Sequence, residues 1–119
     1  MSELRPRAIP IKIDGQDYGL LFDLNAIDEI QTALDTPISN LPDLLSDPIK
    51  SPGTVRKVLA VLINEAIDAG MCKAAPVSEK ELGRMLAYSD IFRAGALIMK
   101  AMFEQFPQDE GGDPNPSGA

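Results

Sequence analysis

The chain has 119 residues, 45% of them hydrophobic, with 11 Lys and Arg against 18 Asp and Glu and a formal net charge of −7. That length and composition specify one globular domain whose core needs no disulfide or metal, while the acidic balance runs against nucleic acid, whose phosphates require clustered cations. A single cysteine, Cys72, excludes an intrachain disulfide, and the absence of histidine removes the commonest general base and metal ligand.

No apolar run reaches the roughly 18–20 residues of a membrane span. The opening Met1-Ser-Glu-Leu-Arg-Pro-Arg7 lacks the apolar stretch of a secretory signal. A reducing cytoplasm is therefore the expected compartment, with no membrane partner and no cofactor.

Ile9, Ile11 and Ile13 alternate with Pro10 and Lys12, and after Asp14-Gly15 the alternation resumes at Tyr18, Leu20 and Phe22. This is the pattern of a β-hairpin over 8–23, because Asp-Gly accepts the positive φ of a tight turn. A two-residue loop pairs Ile11 with Tyr18 and Ile9 with Leu20; a four-residue loop pairs Ile13 with Tyr18 and Ile11 with Leu20. Both keep the apolar side chains on one face, so the pattern does not choose between them. A lone hairpin is marginal in water, so its apolar face is expected on the helices, and Pro10 points to an edge.

A first helix is predicted over about 24–35, with Asp23 or Asn25 as cap and Ile27, Ile30 and Leu34 as its apolar stripe. Residues 37–52 carry four prolines and read as a connector, pinned to the core through Leu41, Leu44 and Leu45. Ser51-Pro52 reads as the cap and first position of a helix over 52–69. Its stripe is Val55, Val58, Leu59, Leu62, Ile63, Ala66 and Ile67, with Lys57, Asn64 and Asp68 opposite and Gly70 as its stop. Ser78-Glu-Lys-Glu81 is a capping box opening a helix over 79–88.

The last helix is expected over 90–106. Ile91, Phe92, Gly95, Ala96, Met99, Met102, Phe103 and Phe106 recur at helical spacing, while Arg93, Lys100 and Glu104 form one narrow polar strip. An apolar surface this wide implies either a helix wrapped on most sides or one that reserves a side for a partner. Residues 107–119 hold only polar, Gly, Pro and Ala residues and read as a disordered acidic tail. The whole is an α+β domain over 1–106: a hairpin packed on three to four helices, mostly helical.

Catalysis has little to stand on. Asp23, Asp28 and Glu29 are explained by helix capping, Cys72 has no His to activate it, and Asp43 to Asp47 lack the spacing and glycine of a calcium loop. A DNA-binding reading takes Val77 to Leu86 as the first helix of a helix-turn-helix. The following helix then offers Ile91, Phe92, Ala94, Gly95 and Ala96 where base-reading polar side chains are wanted. The third reading is a protein-binding surface, since Met adapts to variable apolar partners.

The segment Ile13 to Ile30 resembles the tail assembly chaperones of long-tailed bacteriophages and prophages. The positions that carry the likeness are Gly15, Tyr18, Leu20, Phe22, Asn25, Ala26, Ile27 and Glu29, with Val55 to Leu62 and the Glu-rich start before Leu82-Gly83 also fitting. The likeness covers about residues 9–106, and its motifs are not catalytic. Asp35-Thr36-Pro37 departs from it, standing where a glycine-containing helix stop is expected.

The resemblance implies a non-enzymatic protein of the host cytoplasm that binds the tape measure protein, keeps its apolar helices soluble, recruits tail tube subunits and is absent from the mature virion. It also implies that a longer, frameshifted form can exist. Val61, Leu97, Ala101 and Met102 are the candidate partner-binding residues, the first three lying off the main stripes of their helices. Charged substitution at Leu97 is then expected to weaken partner binding and leave thermal stability nearly unchanged. Self-association stays open, and a small helix-turn-helix-like phage regulator is the alternative function.

Overall fold

The computed structural model describes residues 7–105. Strands β1 (Ile9–Ile13) and β2 (Gln16–Leu20) form an antiparallel hairpin, followed by α1 (Leu24–Leu34), a 3-10 turn (Ile38–Asn40), α2 (Leu41–Ser46), α3 (Ser51–Asp68), α4 (Glu79–Met85) and α5 (Asp90–Gln105). This is the expected α+β architecture, with the connector supplying the short α2. Phe106 and the predicted acidic tail lie outside the described residues.

The hairpin takes the two-residue loop: Ile9 pairs with Leu20, Ile11 with Tyr18 and Ile13 with Gln16. Asp14 and Gly15 both have positive φ, +52° and +78°, the combination whose twist matches that of the flanking strands. Burial alternates along β1, Ile9, Ile11 and Ile13 facing in. At the exit of β2 the alternation stops, because Leu20, Leu21 and Phe22 are all buried. There the chain runs against α3, and the Leu21 amide donates to the Leu62 carbonyl at 3.1 Å.

α3 is the element that the others surround. α1, α2, α4, α5 and β2 all pack on it, and Val55, Val58, Leu59, Leu62, Ile63 and Ala66 are sealed from water. Two residues of its expected polar side are tied to other elements, while Asp68 is exposed. Lys57 Nζ reaches Glu79 at 2.9 Å, and the Asn64 amide holds both backbone groups of Val77. The wide apolar surface of α5 thus does not signal enclosure; α5 rests on α3 and β1 and keeps a side uncovered.

Capping explains where the helices begin and end. Asp23, rather than Asn25, caps α1, its Oδ1 accepting from the Ala26 amide at 2.9 Å. At the other end Asp35 itself takes the left-handed conformation, φ +52° and ψ +48°, which supplies the stop a glycine was expected to make. Leu41, at the start of α2, is fully buried and pins the connector.

α3 starts one residue earlier than expected, with Lys50 at the cap and Ser51 already helical and buried. The reason is the turn before it: Asp47 accepts from the Ile49 amide through Oδ1 at 2.9 Å, and its carbonyl takes the Ser51 amide at 2.8 Å. α3 stops at Gly70, φ +78°, where Gly70 donates to Ile67 and Met71 to Ala66.

The capping box at Ser78 and Glu81 forms in both directions. α4 ends at Met85, short of the expected 88, because Leu86 turns extended and the Ala87 amide donates to Asp90 Oδ2 at 2.8 Å, tying the turn to α5. Among the described residues no helix is long and apolar enough to cross a membrane.

Candidate docking face on the last helix

α5 carries apolar residues on two opposed faces. Ala94, Ile98 and Ala101 are buried in the core, with Ile91, Leu97 and Met102 packed beside them. At about 100° per residue, the opposite direction belongs to Phe92, Ala96, Met99 and Phe103. Phe92 is 83% exposed and Phe103 50%, and Ala96 is exposed. The stripe expected from spacing is therefore split: Phe92, Ala96 and Phe103 look outward, Ile91 and Met102 pack against the core, and the buried side is made by Ala94, Ile98 and Ala101.

That division corrects the candidate set. Ala101 is 4% exposed and has no surface to offer a partner. Val61, Leu97 and Met102 are half-buried and pack against the core, so none stands free on a groove wall. Leu97 in particular packs against the core while partly buried, so a charge placed there is expected to cost stability as well as any binding. The residues that lie open, Phe92 and Phe103, carry the same spacing signal, but spacing does not say which side of a helix faces its own core.

Beside the outer face runs a groove of about 430 Å³ between α5 and α2, lined by Pro42, Leu45 and Ser46 from one and by Phe92, Ala96 and Met99 from the other. Ile91 lines both this groove and a smaller hollow of about 210 Å³ that reaches Tyr88. Gly95 also lines the groove, and a Cβ there would meet nothing within 4 Å. Small residues in mid-helix let an approaching chain come close between the two phenylalanines. On the far edge of the outer face stand Arg93, Lys100 and Glu104, all exposed. Arg93 Nη2 lies 3.4 Å from Asp90 Oδ1, and no ion pair of Lys100 is found among the described residues.

No family model, no curated protein and no solved structure matches this chain.

The carboxylates near α1 form a different kind of cluster. Glu65 is buried on α3 and accepts from Asn25 Nδ2 at 3.1 Å. A hydrogen bond shared with Asp23 and then burial raise the Glu65 carboxyl above its ordinary range, against the lowering effect of the Asn25 amide. Asp23 is at the same time the cap of α1, so this group joins the start of α1 to the last turn of α3. Among the described residues no group of three or more thiol or carboxylate side chains is placed to hold a metal ion. Cys72 is a half-buried free thiol in the loop after α3.

Proposed function

We propose that the chain is a tail assembly chaperone of a long-tailed bacteriophage: a non-enzymatic protein that shelters apolar helical stretches of the tape measure protein in the host cytoplasm and helps gather tail tube subunits around it. The observation that carries this reading is the outward apolar face of α5, where Phe92, Ala96, Met99 and Phe103 line up beside the groove to α2. An amphipathic helix presents anchors at that spacing, and a groove between two helices is where such a helix lies. The resemblance through the hairpin and α1 supplies the identity of the partner. A net charge of −7 helps a protein with exposed phenylalanines stay in solution.

Co-expression with the tape measure protein of the same phage tests it. Co-purification is expected, and Phe92→Asp is expected to weaken it by roughly thirtyfold or more, the loss of a well-seated aromatic anchor, with the thermal midpoint unchanged. A chain that leaves the tape measure protein behind, and instead shifts duplex DNA in a salt-dependent way, would be the small DNA-binding regulator.

A further inference from the structure

Arg56 of α3 lies across Gly83 of α4. Gly is the poorest helix former after Pro, yet it stands inside this short helix. A Cβ at Gly83 would come within 3.1 Å of Arg56 Cδ and 3.4 Å of Nη1, so the bare Cα is the seat of the Arg56 side chain. The guanidinium held there lacks a close acid. Its one ionic partner, Glu79, is 3.7 Å away, beyond hydrogen-bond range, and the same Glu79 oxygen is taken by Lys57 at 2.9 Å.

Arg56 and Gly83 line one side of the hollow of about 210 Å³. The other sides are apolar: Pro52 from α3, Leu86 and Tyr88 from the turn after α4, and Ile91 from α5. Tyr88 is 72% exposed. The remaining acids nearby are already engaged. Glu81 accepts from the Ser78 amide in the capping box, and Asp90 accepts from the Ala87 amide and faces Arg93. Lys80 and Arg84 are exposed and have no ion pair among the described residues. Residues 51–58 and 79–93, which surround the hollow, thus carry five cations against three acids in a chain of net charge −7.

We propose that this hollow binds the carboxyl-terminal residue of another protein chain where that residue is apolar. The side chain fills the hollow, and the terminal carboxylate pairs with the Arg56 guanidinium, whose planar fork suits two parallel hydrogen bonds. A terminal residue carries both groups on one Cα, which matches a hollow that sets one cation beside room for one apolar side chain. Ile91 is a wall of both the hollow and the groove between α5 and α2, so the residues ahead of the chain end can continue along that groove. A free acid would use no part of it. The inference stands apart from the docking role proposed above, which is carried by Phe92 and Phe103.

A hexapeptide ending in Leu-Phe with a free carboxylate, and the same peptide amidated, test the inference when each is titrated against the full chain at low salt. The free-acid form is expected to bind about tenfold more tightly, the effect of one charge-assisted pair. Arg56→Gln is expected to bring the two forms level and to keep its circular dichroism, because Lys57 still holds Glu79. Glu79→Gln, which removes the competing acid, is expected to widen the difference. Equal binding of the two forms by the parent chain would overturn the inference, as would binding of neither. A difference that R56Q leaves unchanged would overturn it too, and if R56Q loses its fold the E79Q comparison decides in the same way. Binding of 3-phenylpropionate as tight as that of the peptide would give the hollow to a free acid and overturn the assignment to a chain end.

Discussion

The side-chain amide of Asn64 and the backbone of Val77 form a two-way pair: Asn64 Nδ2 donates to the Val77 carbonyl at 2.7 Å, and the Val77 amide donates to Asn64 Oδ1 at 2.9 Å. One side chain in the middle of α3 thereby replaces the strand neighbour that Val77 lacks. It holds the loop 71–77 down at the residue before Ser78, the cap from which α4 begins at Glu79. Asn64→Ala leaves a buried valine with two unmet backbone groups. The expected loss is about 2 kcal/mol in urea denaturation, from the cost of stranding partly buried polar groups. Asn64→Asp is expected to keep only the bond from the Val77 amide and to be destabilised more at neutral pH than at acid pH, where the protonated carboxyl can donate again.

The two faces of α5 are separable by stability. Ile98 is fully buried, so Ile98→Ala is expected to cost about 2–5 kcal/mol, the range for emptying a core aliphatic site. Phe92→Ser on the outer face is expected to stay within about 0.5 kcal/mol of the parent, as for other surface changes. Thermal melts of the two variants check the orientation of the helix independently of any partner.

Asp35 holds a backbone conformation that L-residues other than Asn and Asp seldom take. Its neighbours depend on it: Thr36 donates to the Gln31 carbonyl at 3.2 Å, and Gln31 Oε1 in turn accepts from the Ile38 amide at 2.8 Å. Asp35→Gly is expected to stabilise by roughly 0.5–1 kcal/mol, since the relief of left-handed strain exceeds the added freedom of the unfolded chain. Asp35→Val is expected to destabilise by more than that, because a β-branched side chain crowds the same φ. Denaturation midpoints of the pair decide the matter.

Glu65 makes stability depend on pH. Its carboxyl binds a proton more tightly in the folded chain than in the unfolded one, through the shared hydrogen bond with Asp23 and through burial. The stability it contributes is therefore complete below its unfolded pKa and is lost as pH rises through its raised folded pKa. Glu65→Gln keeps the acceptor for Asn25 and a donor for Asp23 without the charge. The variant is expected to gain about 1 kcal/mol at neutral pH and to lose most of the decline in stability between acid and neutral pH. Parallel pH series of unfolding free energy measure both.

Much of this fold is written in local residue chemistry. The turn at Asp14-Gly15, the cap at Asp23, the capping box at Ser78 and Glu81 and the stop at Gly70 each satisfy backbone groups within a few residues, so each is legible from a short stretch of sequence. The stripe of α3 was legible for a related reason: a helix that buries its apolar face announces it at regular spacing. The hairpin register was not, because both loops keep Ile9, Ile11 and Ile13 on one face; the structure pairs Ile11 with Tyr18 and gives both Asp14 and Gly15 positive φ.

Capping, turn preference and apolar period act between near neighbours, so a hairpin joined to amphipathic helices is already specified by residues close together in the chain. Which elements enclose which depends instead on contacts between residues far apart in the chain. α3 became the centre because its polar residues found partners in Glu79 and Val77, and Val61, Leu97 and Met102 were drawn against the core while Phe92 and Phe103 were left outside. α5 has apolar residues in almost every direction, so its own pattern admits more than one inward face; the small Ala94 and Ala101, which let it approach the core closely, settled the choice through contacts made far away in the chain.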